Sequence, residues 1–260
     1  MTCRRRRDIL WYNKVISSQD MVVENGRLDL LHIDKLVRAI ADVSGTGVHT
    51  LLVSSGAIAV GVSSLGLDKR PTDIPGRQAT AAVGQTRLMH VYEKMFDEYG
   101  YRVGQILLSH DVLDKPDWLF NVQNTVNRLF EYNVIPIANE NDTVAVDDIK
   151  IENDTLSATV AVITKADLLV LFSDIDGLYD RDPHLPGATL IKQVDRITDD
   201  IRAMAGGRGT ERGTGGMQTK LKAAEIANRA GIPMILANGN RPESLYEILE
   251  GKNPGTIFLP

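Results

Sequence analysis

The chain has little of several features that mark particular classes of protein. Its 260 residues include one cysteine, Cys3, which cannot form an internal disulfide, and this fits a reducing cytoplasm. No apolar run reaches the roughly 20 residues that a membrane-spanning helix needs, so we expect no membrane partner. Lysine and arginine number 29 against 34 aspartates and glutamates, a formal net charge of −5, which argues against a nucleic-acid partner. We therefore expect a cytoplasmic globular protein.

Histidine is also sparse, and the five histidines show no metal-ligand spacing. We assign none of them to catalysis and expect no metal site built from protein side chains. The four arginines at 4–7 form a basic run that no secretory apolar core follows. We interpret residues 1–8 as a disordered tail, and a weak contact with an acidic partner is the alternative. The histidines are His32, His49, His90, His110 and His184.

The most informative feature is a glycine-rich turn that ends at Lys220 and continues into a helix-forming segment, 221–230. Such a turn aims backbone N–H groups and the positive end of the helix dipole at one point, where the lysine adds a full charge. The pattern predicts a phosphate site, although Leu221 stands where a Walker P-loop has Ser or Thr. A flexible loop before a surface helix is the alternative. The loop residues are Thr214, Gly215, Gly216, Met217, Gln218, Thr219 and Lys220.

Short β-rich runs alternate with helical stretches along the chain, which predicts an α/β fold with helices on both faces of a mostly parallel sheet. Ligands of such sheets lie beyond the carboxyl ends of the strands, and three polar segments, 54–56, 139–142 and 173–177, follow predicted strands. We expect an irregular excursion over 178–213. The pattern predicts helices over 28–43, 78–99, 122–131 and 153–164, and strands over 48–53, 102–108, 134–138 and 168–172.

Taken together, these segments resemble the amino acid kinase family over nearly the whole chain. The resemblance implies a three-layer α/β/α sandwich with a mostly parallel central sheet. It implies one kinase domain over 9–260, divided near residue 165 into a substrate-binding and a nucleotide-binding lobe, with no C-terminal RNA-binding-like module. The segments that carry the resemblance are 52–59, 82–85, 139–145, 153–158, 173–179 with Asp182 and Pro183, and the loop that ends at Lys220.

The resemblance also implies the reaction, transfer of the γ-phosphoryl group of ATP onto a carboxylate. Residues 139–142 and 153–154 favour free L-glutamate as the acceptor, at its γ-carboxylate, which is the first step of proline biosynthesis. A carboxylate is already ionised at neutral pH and needs no general base. Mg²⁺ is expected to arrive on the ATP phosphates. Feedback inhibition by proline and a homo-oligomer, dimer or tetramer, are implied by the resemblance alone.

Site residues are carried over from the family position by position. Lys14 and Lys220 would contact the phosphates from opposite sides, and Asp154 would hold the two lysines in place. Lys14 as an exposed strand-end lysine, and 153–154 as a helix cap, are the alternatives. The substrate residues would be Ser55, Gly56, Asp142 and Asn153. The nucleotide residues would be Lys14, Ser173, Asp174, Thr214, Gly215, Gly216, Met217, Gln218, Thr219 and Lys220.

The chain departs from the family pattern at its first strand, where Ile16 replaces a glycine that lets backbone amides approach phosphate. We expect its side chain to crowd the phosphates. The segment before Asn153 is also a residue shorter than usual. These departures motivate an alternative function, a catalytically weak binding or regulatory protein on the same scaffold. Other members of the family, acting on acetylglutamate, aspartate, uridylate or carbamate, are a further alternative.

Overall fold

A central sheet of eight strands organises the computed structural model, which describes residues 13–18, 23–24, 27–109, 115–144, 152–205 and 216–260. The strands of this sheet are β1 (Asn13–Ser18), β4 (His49–Ser54), β5 (Arg102–Leu108), β6 (Val134–Glu140), β7 (Leu168–Ser173), β8 (Gln193–Val194), β9 (Met234–Asn238) and β10 (Thr256–Phe258). A separate two-stranded hairpin joins β2 (Val23–Glu24) to β3 (Arg27–Leu28). The helices are α1 (Leu30–Gly45), α2 (Ala57–Ser64), α3 (Ile74–Asp97), α4 (Pro116–Glu131), α5 (Asn153–Thr164), α6 (Asp199–Ala205), α7 (Gly216–Arg229) and α8 (Ser244–Leu249).

The sheet has the order β5-β6-β4-β1-β7-β9-β10-β8. The first six strands in this order, β5 through β9, are mutually parallel. The strand β10 runs antiparallel to β9, and β8 pairs parallel with β10. Both β1 and β7 are buried, as expected for parallel strands covered on two faces. The mostly parallel sheet predicted from the sequence is confirmed.

Each face of the sheet has its own apolar core, because successive residues of a strand point to opposite faces. On one face, Val15 and Leu51 pack among residues of α4, α5, α6 and α7. On the other face, Ile16 and Leu52 pack among residues of α1, α3 and α8. Two helical layers therefore enclose the sheet, and the three-layer α/β/α sandwich is confirmed.

The helices α2 and α3 approach each other closely because two glycines lie at their contact. A Cβ atom added at Gly61 would overlap the carbonyl oxygen of Thr80, and one at Gly84 would overlap that of Ala57. Since α2 begins directly after β4, this contact fixes the backbone that leaves the carboxyl end of that strand.

Most of the predicted elements are present, with shifted ends. The helix predicted over 153–164 matches α5, but α4 begins at Pro116, six residues before the predicted 122. The stretch over 178–213, expected to be irregular, holds β8 and α6 within its described part. The division into two lobes near residue 165 stays a prediction.

Candidate functional site

The carboxyl edge of the parallel strands gathers most of the predicted site residues. In a parallel β-α-β unit the helix runs antiparallel to the strands, so it begins at the carboxyl edge of the sheet. The helix α5 leads into β7 and α7 leads into β9, so both helices begin at this edge. Their first turns carry Asp154 and Lys220.

Asp154, Thr219 and Lys220 form a buried polar cluster between α5 and α7. The Thr219 hydroxyl donates to Asp154 Oδ2 at 2.6 Å, and Lys220 Nζ lies 3.4 Å from the same oxygen. Lys220 Nζ also donates to the backbone carbonyl of Gly216 at 3.2 Å. The Asp154 side chain is 0% exposed and that of Lys220 is 6% exposed. The structure thus brings two of the three predicted catalytic residues into direct contact.

Near this edge, besides Thr155 Oγ1, two buried oxygens have no hydrogen-bond partner among the described residues. They are Asp154 Oδ1 and Ser17 Oγ, and both are buried. Ser17 lies on the face of β1 that α5 covers, because it alternates with Ile16 on the opposite face. Buried polar oxygens are normally hydrogen-bonded, so these two mark a polar position at which a ligand group is expected. Ser17 was not predicted as a site residue, although it belongs to the segment in which Ile16 was noted.

Lys14 lies away from this cluster. By resemblance it corresponds to a lysine at the end of the family's first strand, but here Lys14 is the second of the six residues of β1 and pairs with Thr50 and Leu168 near the starts of β4 and β7. The carboxyl end of β1, at Ser18, is roughly 13 Å further along the strand. Lys14 also shares the face of Ile16, opposite α5 and α7. The register of β1 therefore places the Lys14 backbone near the starts of β4 and β7, away from the carboxyl edge at which α5 and α7 begin.

The environment of the Lys14 ammonium group agrees with this placement. The side chain is 2% exposed, and burial lowers the pKa of Lys14 from 10.5 to about 8. Burial disfavours the charged form of a lysine and is the cause of this shift. Lys14 is thus a desolvated lysine, not the exposed lysine of the alternative interpretation.

Ile16 is a core residue. It was expected to crowd the phosphates, and that expectation is wrong for this structure, because its side chain is 0% exposed and packs with the cluster under α1 and α3. The backbone at Ile16 is an ordinary strand that pairs with Leu52 and Val170. A β-branched side chain favours a strand at such a position. The strand therefore continues to Ser18, whereas a glycine at residue 16 would allow the backbone to turn.

Ser55 and Gly56 connect β4 to α2 at the carboxyl edge. Gly56 precedes α2 with a φ of 91°, a left-handed conformation that favours glycine. Its position exposes the first N–H groups of α2, which have no partner within the helix. The neighbouring Ser54 hydroxyl shares a hydrogen bond with Tyr92 at 3.0 Å, which ties this turn to α3.

The segment after β6 is held by a network that the sequence analysis did not resolve. Asn139 donates from Nδ2 to Gln85 Oε1 at 2.8 Å and accepts from the Glu140 N–H at 2.8 Å. Asn141 N–H donates to the Leu108 carbonyl at 2.8 Å. These bonds link β6 to α3 and β5 and place Asp142, a predicted substrate residue, in the turn that follows. Gln85 and Asn139 belong to two of the segments that carry the resemblance to the amino acid kinase family. This shared membership was the only indication in the sequence that the two residues could meet.

The segment after β7 carries the predicted nucleotide residues Ser173 and Asp174. The Ser173 hydroxyl donates to Asp174 Oδ1 at 2.9 Å, and its carbonyl accepts from the Gly239 N–H at 2.7 Å. Asp176 accepts from Asn238 Nδ2 at 2.8 Å, which ties the turn to β9. Asp174 is exposed at the same edge of the sheet. Thr214 and Gly215 of the predicted loop lie outside the described residues.

The described part of the chain lacks two further features, a cluster of metal-ligating side chains and a helix that could span a membrane. Within it, no group of three or more His, Cys, Asp and Glu side chains is arranged to hold a metal ion. The helices described are too short or too polar to cross a bilayer.

The fold and the polar cluster at the starts of α5 and α7 define an α/β kinase-like class, and comparison with known families agrees. The family model described as "Amino acid kinase family" matches residues 15–238. The chain therefore belongs to the amino acid kinase family, as its sequence segments predicted. The match begins one residue after Lys14.

Within this family, the chain is similar to two glutamate 5-kinases. The chain is 52% identical over 245 residues to a glutamate 5-kinase of Clostridium tetani, covering 94% of this chain and 92% of the relative. It is 49% identical over 247 residues to a glutamate 5-kinase of Clostridium acetobutylicum, with the same coverage of each.

Solved structures support the fold alone, because their sequence identity is low. Carbamate kinase from Giardia lamblia bound to AMP-PNP has a TM-score of 0.68 at 14% identity, covering 96% of this chain and 99% of that chain. UMP kinase from Ureaplasma parvum has a TM-score of 0.63 at 18% identity, covering 96% and 99%.

Proposed function

We propose that the protein transfers the γ-phosphoryl group of ATP onto the γ-carboxylate of L-glutamate. The observation that carries this proposal is the buried Lys220–Asp154 contact at the paired starts of α5 and α7. It occurs in a chain about half identical to glutamate 5-kinases over most of its length. A kinase needs such a cation beside the phosphates, because phosphoryl transfer depends on positioning and on neutralising charge.

Lys220 is the cation we assign to the phosphates. Its ammonium group lies on the first turn of α7, where the N–H groups of Gly216, Met217 and Gln218 have no partner within the helix. The helix dipole adds partial positive charge at the same place. Asp154 fixes the ammonium position by its contact with Nζ. These groups stabilise the negative charge of the transferring phosphoryl group.

The acceptor side is assigned to the turns after β4 and β6 and to the start of α5. Ser55 and the N–H groups after Gly56 can donate to a substrate carboxylate, and Asp142 can pair with the ammonium of glutamate. Asn153, the first residue of α5, can donate or accept. Because the acceptor carboxylate is ionised at neutral pH, none of these residues has to remove a proton.

The nucleotide side is assigned to Ser173 and Asp174 and to the loop that contains Thr214 and Gly215. We expect Mg²⁺ to bind together with the nucleotide, because this site offers too few carboxylates to hold the ion alone. Asp154 is the only buried carboxylate in the described cluster, and its Oδ2 already accepts a hydrogen bond from Thr219. When bound, the ion would neutralise phosphate charge. The role at the phosphates that the family resemblance gives Lys14 is left out of this assignment, because Lys14 lies near the starts of β4 and β7, and a variant discussed below tests it.

The test is a substrate panel with ADP release as the readout. We expect ADP release to depend on L-glutamate and not on acetylglutamate, aspartate, uridylate or carbamate. The Asp142→Asn variant should raise the KM for glutamate by tenfold or more, because the ammonium loses a charged partner worth about 1.5–3 kcal/mol. Its KM for ATP should stay unchanged. Turnover with another acceptor, or none with glutamate, would refute the proposal.

Three finer properties belong to the same proposal. The reaction would be the first step of proline biosynthesis in the cytoplasm, with proline lowering glutamate-dependent turnover. The protein would form a homo-oligomer, which light scattering of the purified chain measures. A catalytically weak regulatory protein is not favoured, because the chain is about half identical to glutamate 5-kinases over most of its length. Ile16, one of the two departures that motivated this alternative, lies in the core.

A further inference from the structure

Among the described residues, the Thr219 hydroxyl makes the shortest hydrogen bond to the Asp154 carboxylate. Thr219 Oγ1 lies 2.6 Å from Asp154 Oδ2 and 2.9 Å from the Gly216 carbonyl. A hydroxyl has one proton to donate. A hydrogen bond to a carboxylate is shorter and stronger than one to a neutral carbonyl, so the proton belongs to Asp154. Lys220 Nζ, at 3.4 Å from the same oxygen, is the weaker partner.

The two partners of Asp154 differ in what else they can reach. Lys220 Nζ lies 3.4 Å from Asp154 Oδ2 and 3.2 Å from the Gly216 carbonyl, so these two contacts lie at or beyond the long end of the hydrogen-bond range. Thr219 is tied to its own helix turn and points into the contact between α5 and α7. An arriving phosphate can therefore draw the ammonium group away from Asp154, whereas the hydroxyl bond can stay.

Asp154 needs such a second partner because it is fully buried and its other oxygen, Oδ1, has no hydrogen bond within the described part of the chain. If Lys220 moves towards a phosphate, a carboxylate without Thr219 would have lost every donor seen in the described residues. The cost of an unpaired buried charge is high, so it would oppose the movement of Lys220.

We propose that Thr219 is a positioning residue that holds Asp154 Oδ2 and so frees Lys220 to contact the phosphates in the transition state. This inference rests on the proposed function, and it gives Thr219 a role different from the direct nucleotide contact that the sequence predicted. It makes a distinct kinetic claim. Losing the hydroxyl should lower kcat and leave the binding of ATP almost unchanged.

The experiment compares Thr219→Val, which keeps the shape and removes the hydroxyl, with Thr219→Ser, which restores the hydroxyl. We expect kcat of Thr219→Val to fall about tenfold to a hundredfold, the range for losing a hydrogen bond to a charged group. The KM for ATP should stay within about threefold of wild type, and Thr219→Ser should recover most of kcat. Thr159→Val is the matched control, because its hydroxyl donates only to the Thr155 carbonyl in α5, and it should behave as wild type.

Each contrary result has a separate meaning. Wild-type kcat in Thr219→Val, or no recovery in Thr219→Ser, would overturn the positioning role. A raised KM for ATP with unchanged kcat would overturn it in favour of direct nucleotide contact. If Thr219→Val does not fold, as judged by circular dichroism, Thr219→Ala replaces it, and wild-type kcat in that variant is equally decisive. Absence of glutamate-dependent turnover in the wild type would refute the proposed function instead.

Discussion

Ile16 and Leu52 lie side by side on neighbouring strands, β1 and β4, and both side chains are 0% exposed. The position at which family members carry a glycine near phosphate is therefore a core position in this chain. This packing explains why β1 continues as a regular strand to Ser18. We therefore expect the phosphate contacts at the starts of α5 and α7 and not at β1.

The Ile16→Gly variant should lose stability. We expect the free energy of unfolding to fall by about 3–5 kcal/mol, since a buried isoleucine is deleted and glycine weakens a strand interior. Ile16→Val is the matched control and should lose about 0.5–1.5 kcal/mol. Urea titration measures both. A stable Ile16→Gly protein with raised glutamate-dependent turnover would contradict the core position and support the expectation drawn from the sequence.

Lys14→Met should stabilise the protein near neutral pH. Burial lowers the pKa of Lys14 from 10.5 to about 8, so below pH 8 the folded state holds a charged lysine in an unfavourable place. The cost is full below pH 8 and disappears as pH rises towards 10.5, because only the unfolded chain then binds the proton. Each unit of the shift is worth about 1.4 kcal/mol. Thermal melting between pH 7 and 10.5 should show a stability gain that shrinks with rising pH.

The same variant decides whether Lys14 acts at the phosphates. From its position at the starts of β4 and β7, we expect Lys14→Met to keep glutamate-dependent turnover within about threefold of wild type. A fall of a hundredfold or more in kcat, with the fold intact, would show instead that Lys14 reaches the phosphates during the reaction, as the family resemblance implies.

Lys220→Met should abolish most of the activity. Removing a preorganised charge of this kind costs about a hundredfold or more in kcat. It also leaves Asp154 buried without its cation, which is expected to destabilise the fold by about 3–5 kcal/mol. Lys222→Met is the matched control, since Lys222 is exposed on the same helix, and it should change neither property. Equal turnover in the two variants would refute the assignment of Lys220.

Gly84→Ala should disturb the turn that leaves β4. An added Cβ would overlap the Ala57 carbonyl, so α2 and α3 must separate, and overpacking of this kind costs about 1–3 kcal/mol or more. Gly45→Ala is the control, because its Cβ would meet only Tyr101 Oη at 3.7 Å. We expect the melting temperature to fall for Gly84→Ala alone. The KM for glutamate should rise with it, because Ser55 and Gly56 precede α2. An unchanged melting temperature would contradict the tight contact.

Local patterns predicted some elements well and others poorly, for identifiable reasons. The bounds of α5 agree with the prediction because the helix has an apolar face that packs continuously against the sheet. The first turns of α4 were missed because the exposed apolar residues Trp118 and Phe120 flank Leu119 there and obscure the start of the core-facing stripe. Proline is well tolerated at the first position of a helix, and Pro116 occupies that position in α4. This proline was the feature of the sequence that could have indicated the helix start.

Among the site residues, those on α5 and α7 were easier to predict than those on β1. Asp154 and Lys220 lie on first turns of helices, where a short motif already defines the local geometry and the side-chain direction. Lys14 lies on a strand, where the position relative to the edge depends on pairing with β4 and β7, which are distant in the chain. Motif resemblance carries no information about that register.

The order of residues in this chain was enough to predict a mostly parallel α/β fold, because periodicity is a local property, and its motifs were enough to indicate the family. It also predicts a phosphate site at the start of α7, because helix-start chemistry is local. Strand pairing, and with it the position of Lys14 near the starts of β4 and β7, became visible only in the folded molecule. The same holds for the 2.6 Å bond from Thr219 to Asp154. These contacts join segments far apart in the chain, and the packing of α5 and α7 on the sheet sets which atoms meet.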